Sequence, residues 1–145
     1  MSAPFRHPHR VSYAECTLGN HVYHSRYLDW LEATRGEFIR SLGSTVLQWQ
    51  ERDVIFPVIE ARLRYKSPAR YDDLLEMKTV LSLAGKASFR FDMSVDQAHG
   101  GAPVASGYTV HAITDAAGKP MRCPAWLTQA LEAARTPVGA AGVVA

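Results

Sequence analysis

Apolar and polar positions change period twice along this chain, and the changes mark its elements. From Arg10 to Thr17, Val11 and Tyr13 alternate with Ser12, Ala14 and Cys16, which predicts a strand. Leu18, Gly19 and Asn20 follow as a sharp turn, since Gly and Asn both tolerate positive φ. The period then becomes helical. Tyr27, Leu28, Leu31, Thr34, Phe38, Ile39 and Leu42 recur at three- and four-residue steps, so a helix is predicted from His24 or Ser25 to Leu42. Arg26, Asp29, Arg35 and Arg40 fall off that stripe. Ser25 suits the N-cap and Gly43 the C-terminal stop. Residues 44–53 show no clear period, and Val46, Leu47 and Trp49 are expected to pack as an irregular segment or a short turn of helix.

After residue 57 the period returns to two. Ile59, Ala61, Leu63 and Tyr65 alternate with Glu60, Arg62 and Arg64, and Leu75, Met77, Thr79 and Leu81 alternate with Glu76 and Lys78. Phe89, Phe91, Met93 and Val95 alternate with Ser88, Arg90, Asp92 and Ser94, and a last strand runs from Val104 to Thr114. Turn residues separate these runs, as in an antiparallel meander with one wetter face. A short helix runs from Pro124 to about Ala134. The resulting fold class is α+β: a five-stranded antiparallel sheet wrapped around one long helix, with a short C-terminal helix, over residues 10–135. Residues 1–9, stiffened by Pro4 and Pro8, are expected to be a polar arm, and residues 136–145 a flexible tail. The sheet edge invites pairing with a second copy.

Composition changes this picture little. The 145 residues are 47% hydrophobic and 21% charged, with net charge +2, which gives nucleic-acid or membrane-surface binding no support. Cys16 and Cys123 are far apart, and the N-terminus lacks the apolar core of a secretory leader, so free thiols in a cytoplasmic setting are expected. No apolar run approaches the ~18 residues of a membrane span. His7 and His9 have no further ligands at finger-like spacing, and neither a metal cage nor a phosphate-binding glycine loop is visible.

The candidate chemistry gathers where the turn enters the helix. A helix N-terminus collects unpaired N–H groups and partial positive charge, which can stabilise charge developing on a carbonyl oxygen. The same stretch carries Glu15, Asp29, Glu32 and Glu37, with His21 and His24. Tyr13, Glu15, Gly19, Val22-Tyr23-His24, Tyr27-Leu28, Trp30-Leu31-Glu32 and Arg35 resemble, in order and spacing, the hotdog-fold acyl-CoA thioesterases, and most nearly the YbgC-like branch of the 4-hydroxybenzoyl-CoA thioesterase family. The stretches ARLRYKSPARYDDLLEMKTVL, GKASFRFDMSV and ASGYTVHAITDAAGKPMRCP resemble that family's later strands, so the likeness runs over residues 9–130.

The resemblance implies hydrolysis of an acyl-CoA or acyl-carrier-protein thioester by a homodimer or homotetramer, with coenzyme A present only as part of the substrate and no separate cofactor. It makes the His24 N–H the oxyanion donor. It also exposes a departure: the usual catalytic aspartate is Thr17 here, and the threonine before it is Cys16. Glu32, on the helix, and Glu15, two residues before Thr17, are the carboxylates that could replace it. Thr17 could instead orient water, or simply close the strand. His21 could supply a base near neutral pH, or make a structural hydrogen bond. Lys86, Ala87 and Ser88 match the region that meets the carrier in relatives, although Lys86 is also a plain turn residue. Arg62, Arg64, Lys66 and Arg70 could add charge, whereas Tyr108 and His111 read as packing residues. The alternative to hydrolysis is a binding module that kept the groove and lost the base.

Overall fold

A computed structural model describes residues 4–135. The strands are β1 (Phe5–Arg10), β2 (Cys16–Thr17), β3 (His21–Val22), β4 (Val58–Tyr65), β5 (Leu74–Gly85), β6 (Ser88–Gln97) and β7 (Pro103–Ala112). The helices are α1 (Arg26–Ser41), α2 (Val46–Glu51) and α3 (Ala125–Arg135). Five strands form one antiparallel sheet in the order β1-β5-β6-β7-β4, and β2 and β3 make a small separate hairpin. The alternation of Leu75, Met77, Leu81, Phe89, Phe91, Met93 and Val95 becomes one buried face, which closes on Tyr27, Trp30, Leu31 and Ile39 of α1. Each such side chain removed from water contributes about 1.5–3 kcal/mol, so this layer holds the helix in place. Trp49 and Leu127 close one end of the core from α2 and α3. The expected tail, 136–145, lies outside the described residues.

Two sequence expectations are corrected. The strand predicted over Arg10–Thr17 is displaced. The stretch read as a polar arm supplies β1 instead, paired with β5 from Phe5↔Thr79 to Arg10↔Leu74. An edge strand tolerates Pro8, whose missing N–H needs no ladder partner. After Arg10 the chain turns: Val11 N donates to Asp73 O, Glu15 N to Ser12 O, and Tyr13–Glu15 form a single 3₁₀ turn.

The second correction concerns α1. Trp30 and Arg35 are buried, while Leu28 is 41% exposed. The helix packs on β1 as well as β5, so the unrecognised edge strand draws its buried face toward Trp30, whose ring lies tilted against His9 at 4.6 Å.

β4 forms the other edge. Val58, Ile59 and Tyr65 on it are 49%, 63% and 48% exposed. Among the described residues no helix is long and apolar enough to cross a membrane.

Candidate active site at the start of the long helix

The β2–β3 hairpin delivers the chain to the start of α1. Its pairs are Cys16↔Val22 and Thr17↔His21. Gly19 and Asn20 turn it with φ of +78° and +57°, as their residue types suggested. The turn is tied down from outside: Arg70 Nη1 donates to Gly19 O at 3.3 Å, and Tyr71 N donates to Asn20 Oδ1 at 3.1 Å. Val22 N donates to Ala69 O and Tyr23 N to Glu15 O. Arg26 N then closes a turn onto Tyr23 O at 2.9 Å, with His24 and Ser25 at its centre. Among the described residues no backbone acceptor takes the His24 N–H.

A cleft of about 260 Å³ opens at this point, lined by His21, His24, Tyr27, Tyr65, Lys66 and Ser67. Tyr65 Oη donates to His24 O at 3.0 Å and so fixes the peptide around which the cleft forms. The rings of Tyr27 and Tyr65 meet edge-on at 5.2 Å. Burial pushes both phenols above their ordinary value, so they remain neutral, and the Tyr27 hydroxyl accepts from Ala69 N at 3.4 Å. The His24 ring lies against Tyr23 at 4.5 Å. Thr17 is exposed beside the cleft, on an open hollow of about 650 Å³ shared with Tyr13, Cys16, Leu18 and Tyr71.

The structure separates the other candidates. Glu15 serves the fold. Its Oε1 accepts from Ser12 N at 2.9 Å and His9 Nε2 at 2.8 Å, and its Oε2 accepts from Trp30 Nε1 at 2.6 Å. Burial alone would raise its pKa, but these donors outweigh burial and hold the carboxyl below its ordinary value of 4.5. Glu32 is exposed on α1, eight residues beyond His24, or about 12 Å along the axis. Its neighbour Arg35 is buried: desolvation lowers the guanidinium's pKa, and the charge of Glu32 opposes that.

Lys86 and Ala87 form the β5–β6 turn and Ser88 opens β6; Lys86 O accepts from Cys123 N and Ala87 O from Ile113 N. Ser88 pairs with Ala112 at one end of the sheet, while Tyr65 pairs with Ala105 in the row of Val95 at the other. Those rows are seven residues, or about 23 Å, apart, so one chain does not bring this turn to the cleft. His111 is buried, donating from Nδ1 to Phe56 O at 2.8 Å. Tyr108 donates to Glu60 at 2.7 Å. Neither side chain reaches the cleft, and both read as packing residues in the sequence. Among the described residues no cluster of His, Cys, Asp or Glu could hold a metal.

Sequence reasoning missed Tyr65 and Trp30 as positioning groups. Alternation shows which face of β4 Tyr65 occupies, but not that its hydroxyl reaches the His24 carbonyl.

Replacing Glu15 tests its structural role. Glu15→Gln retains one acceptor oxygen for three donors, so about 1.5–3 kcal/mol of stability is expected to be lost in urea unfolding at pH 7. A depressed folded pKa contributes stability that is present above pH 4.5 and is lost as pH falls through the folded value. The variant's stability should therefore fall less steeply below pH 4.5 than wild type's. An equal acid slope in the two proteins would exclude this role.

A five-stranded antiparallel sheet wrapped on one long helix, with a cleft where that helix begins, is the hotdog arrangement. The chain matches the family model of the thioesterase-like superfamily over residues 11–131, and it belongs to that family of thioester hydrolases. It is 35% identical over 89 residues to the acyl-CoA thioesterase YbgC of Haemophilus influenzae, a match spanning 61% of this chain and 65% of that protein. It is 32% identical over 91 residues to the acyl-CoA thioester hydrolase YbgC of Escherichia coli O6:H1, spanning 63% of this chain and 68% of that one. In fold it resembles a 1,4-dihydroxy-2-naphthoyl-CoA thioesterase from Synechocystis, with TM-score 0.82, 19% identity, and coverage of 88% and 95% of the two chains.

Proposed function

We propose that this protein hydrolyses acyl thioesters of coenzyme A or an acyl carrier protein, as a homodimer or homotetramer in the cytoplasm. The observation that carries the reading is the His24 N–H. It stands at the N-terminus of α1, in a cleft, without a backbone acceptor among the described residues. A thioester carbonyl seated there would place its developing oxyanion on that donor and on the positive end of the helix. Lys66 on the cleft wall offers a point charge to the carrier's phosphates. The two free thiols, Cys16 and Cys123, suit a reducing compartment.

The exposed apolar residues of β4 support such an assembly. A second β4 paired antiparallel about a two-fold axis would cover Val58 and Ile59. It would also bring the far end of the partner's sheet, with Lys86, Ala87 and Ser88, toward this chain's Tyr65. The carrier would then be held by both copies. Within one chain Glu32 is too far along α1 to meet the carbonyl, so it would act there only from a second copy.

Thiol release from a panel of short, long and aromatic acyl-CoAs and acyl-carrier thioesters tests the reading. Turnover of at least one class is expected. Binding of the acyl-CoAs without release of thiol would instead identify a non-hydrolytic acyl-binding module.

A further inference from the structure

We infer that His21 is the general base of this site, accepting the proton of the attacking water where Thr17 leaves the hairpin without a carboxylate. The inference rests on the thioesterase reading above. Thr17 and His21 are direct partners across β2 and β3. Residues so paired project to the same face with Cβ atoms about 4.5–5.5 Å apart. The imidazole therefore neighbours the position from which a side chain at residue 17 would act. It also lines the cleft that holds His24. A Cβ built on Gly19 would lie 4.0 Å from His21 Nε2, so the ring folds back along the turn. Arg70, Tyr71 and Ala69 hold that turn rigidly through Gly19, Asn20 and Val22.

The other groups around His21 are unsuited to the task. Tyr27, from α1, and Tyr65, from β4, are neutral phenols whose pKa values burial raises. Lys66 and Arg70 are cations without an acceptor. Cys16, beneath the hairpin, donates its thiol to Ser12 O at 3.7 Å. Glu15 already accepts three hydrogen bonds, from Ser12, His9 and Trp30. The His24 ring lies against Tyr23 and meets Tyr65 edge-on. Among the described residues the His21 side chain forms no hydrogen bond or ion pair, leaving its ring free for water.

In the reaction a neutral ring nitrogen of His21 takes one proton from water. The water oxygen forms a bond to the thioester carbon, and the carbonyl electron pair moves onto oxygen at the His24 N–H. Collapse of this intermediate breaks the C–S bond, and the leaving thiolate takes the proton from the imidazolium. Water and thioester become acid and thiol, with His21 regenerated.

The test uses the full chain and the thioester that wild type turns over fastest. His21→Gln should lower kcat about 100-fold or more while keeping the wild-type circular dichroism and melting temperature. Adding Thr17→Asp to that variant should restore turnover and move the acid limb of the kcat/KM profile to lower pH, since a carboxylate is a weaker base than an imidazole. Wild-type turnover with an unchanged limb in His21→Gln overturns the inference but leaves the thioesterase reading standing. So does loss of turnover in Glu32→Gln with His21→Gln still active. Lost turnover that Thr17→Asp does not restore, with the acid limb unmoved, assigns His21 a structural role and also overturns it. Absence of thiol release by wild type from every thioester overturns both readings. Should His21→Gln unfold, His21→Asn takes its place under the same criteria, and a wild-type kcat/KM profile without an acid limb overturns the inference.

Discussion

His24→Pro is expected to lower kcat for thioester hydrolysis by about 10²–10³-fold with the fold intact. The substitution suits this position because Arg26 N closes a turn onto Tyr23 O at 2.9 Å, putting His24 at the second position of that turn. Ser25, the third, has φ −71° and ψ −20°, as a helix start requires. Proline favours the second position of such a turn and carries no N–H. The change therefore deletes the donor with little disturbance of the backbone path. Residue 23 must then be extended, which is consistent with its bond to Glu15 O directly after β3. His24→Ala separates the two parts of the residue, since it removes the ring and keeps the N–H. The difference in kcat between the two variants measures the donor's contribution. Equal rates for both, with equal melting temperatures, would show that the oxyanion sits elsewhere.

Gly107→Ala is expected to cost about 3–5 kcal/mol of stability and to reduce turnover with it. Gly107 lies on β7 opposite Leu63 of β4. A Cβ there would overlap the Arg62 carbonyl oxygen and lie 3.0 Å from Leu63 Cα. Both obstacles are backbone, so no rotamer change relieves them, and β4 would have to lift from the sheet. β4 also carries Tyr65, which fixes the His24 peptide, so the candidate site should loosen as the strand moves. Gly36→Ala is the contrasting case. It lies inside α1, and nothing stands within 4 Å of an added Cβ. Removing backbone freedom there should stabilise the protein by about 0.5–1 kcal/mol. Denaturant midpoints for the two variants should move in opposite directions, and a Gly107→Ala midpoint equal to wild type would refute the close approach of β4.

Much of the architecture could be read from local pattern. The runs from Val58 onward repeat every two residues, and α1 every three to four, because each element buries one face and the backbone sets which side chains share it. The turn at Gly19-Asn20 was legible for a similar reason, since positive φ favours those residue types. β1 was hidden because His7, Pro8 and His9 do not look like a strand, and only pairing with β5 makes them one. The outward turn of Leu28 and the burial of Trp30 follow from that same pairing, so they were equally hidden.

The candidate site divides along the same line. The sequence by itself determined that a turn feeds a helix N-terminus and that His24 stands at the junction. These are properties of neighbouring residues, which local propensity and spacing control. Tertiary structure alone decided which side chains are available for chemistry. It committed Glu15 to Ser12, His9 and Trp30, left Glu32 exposed along the helix, and brought Tyr65 across 41 positions of chain to the His24 carbonyl. It also set Lys86, Ala87 and Ser88 at the opposite end of the sheet from the cleft. Such outcomes depend on strand order and on contacts between distant segments, and short-range periodicity carries no record of either.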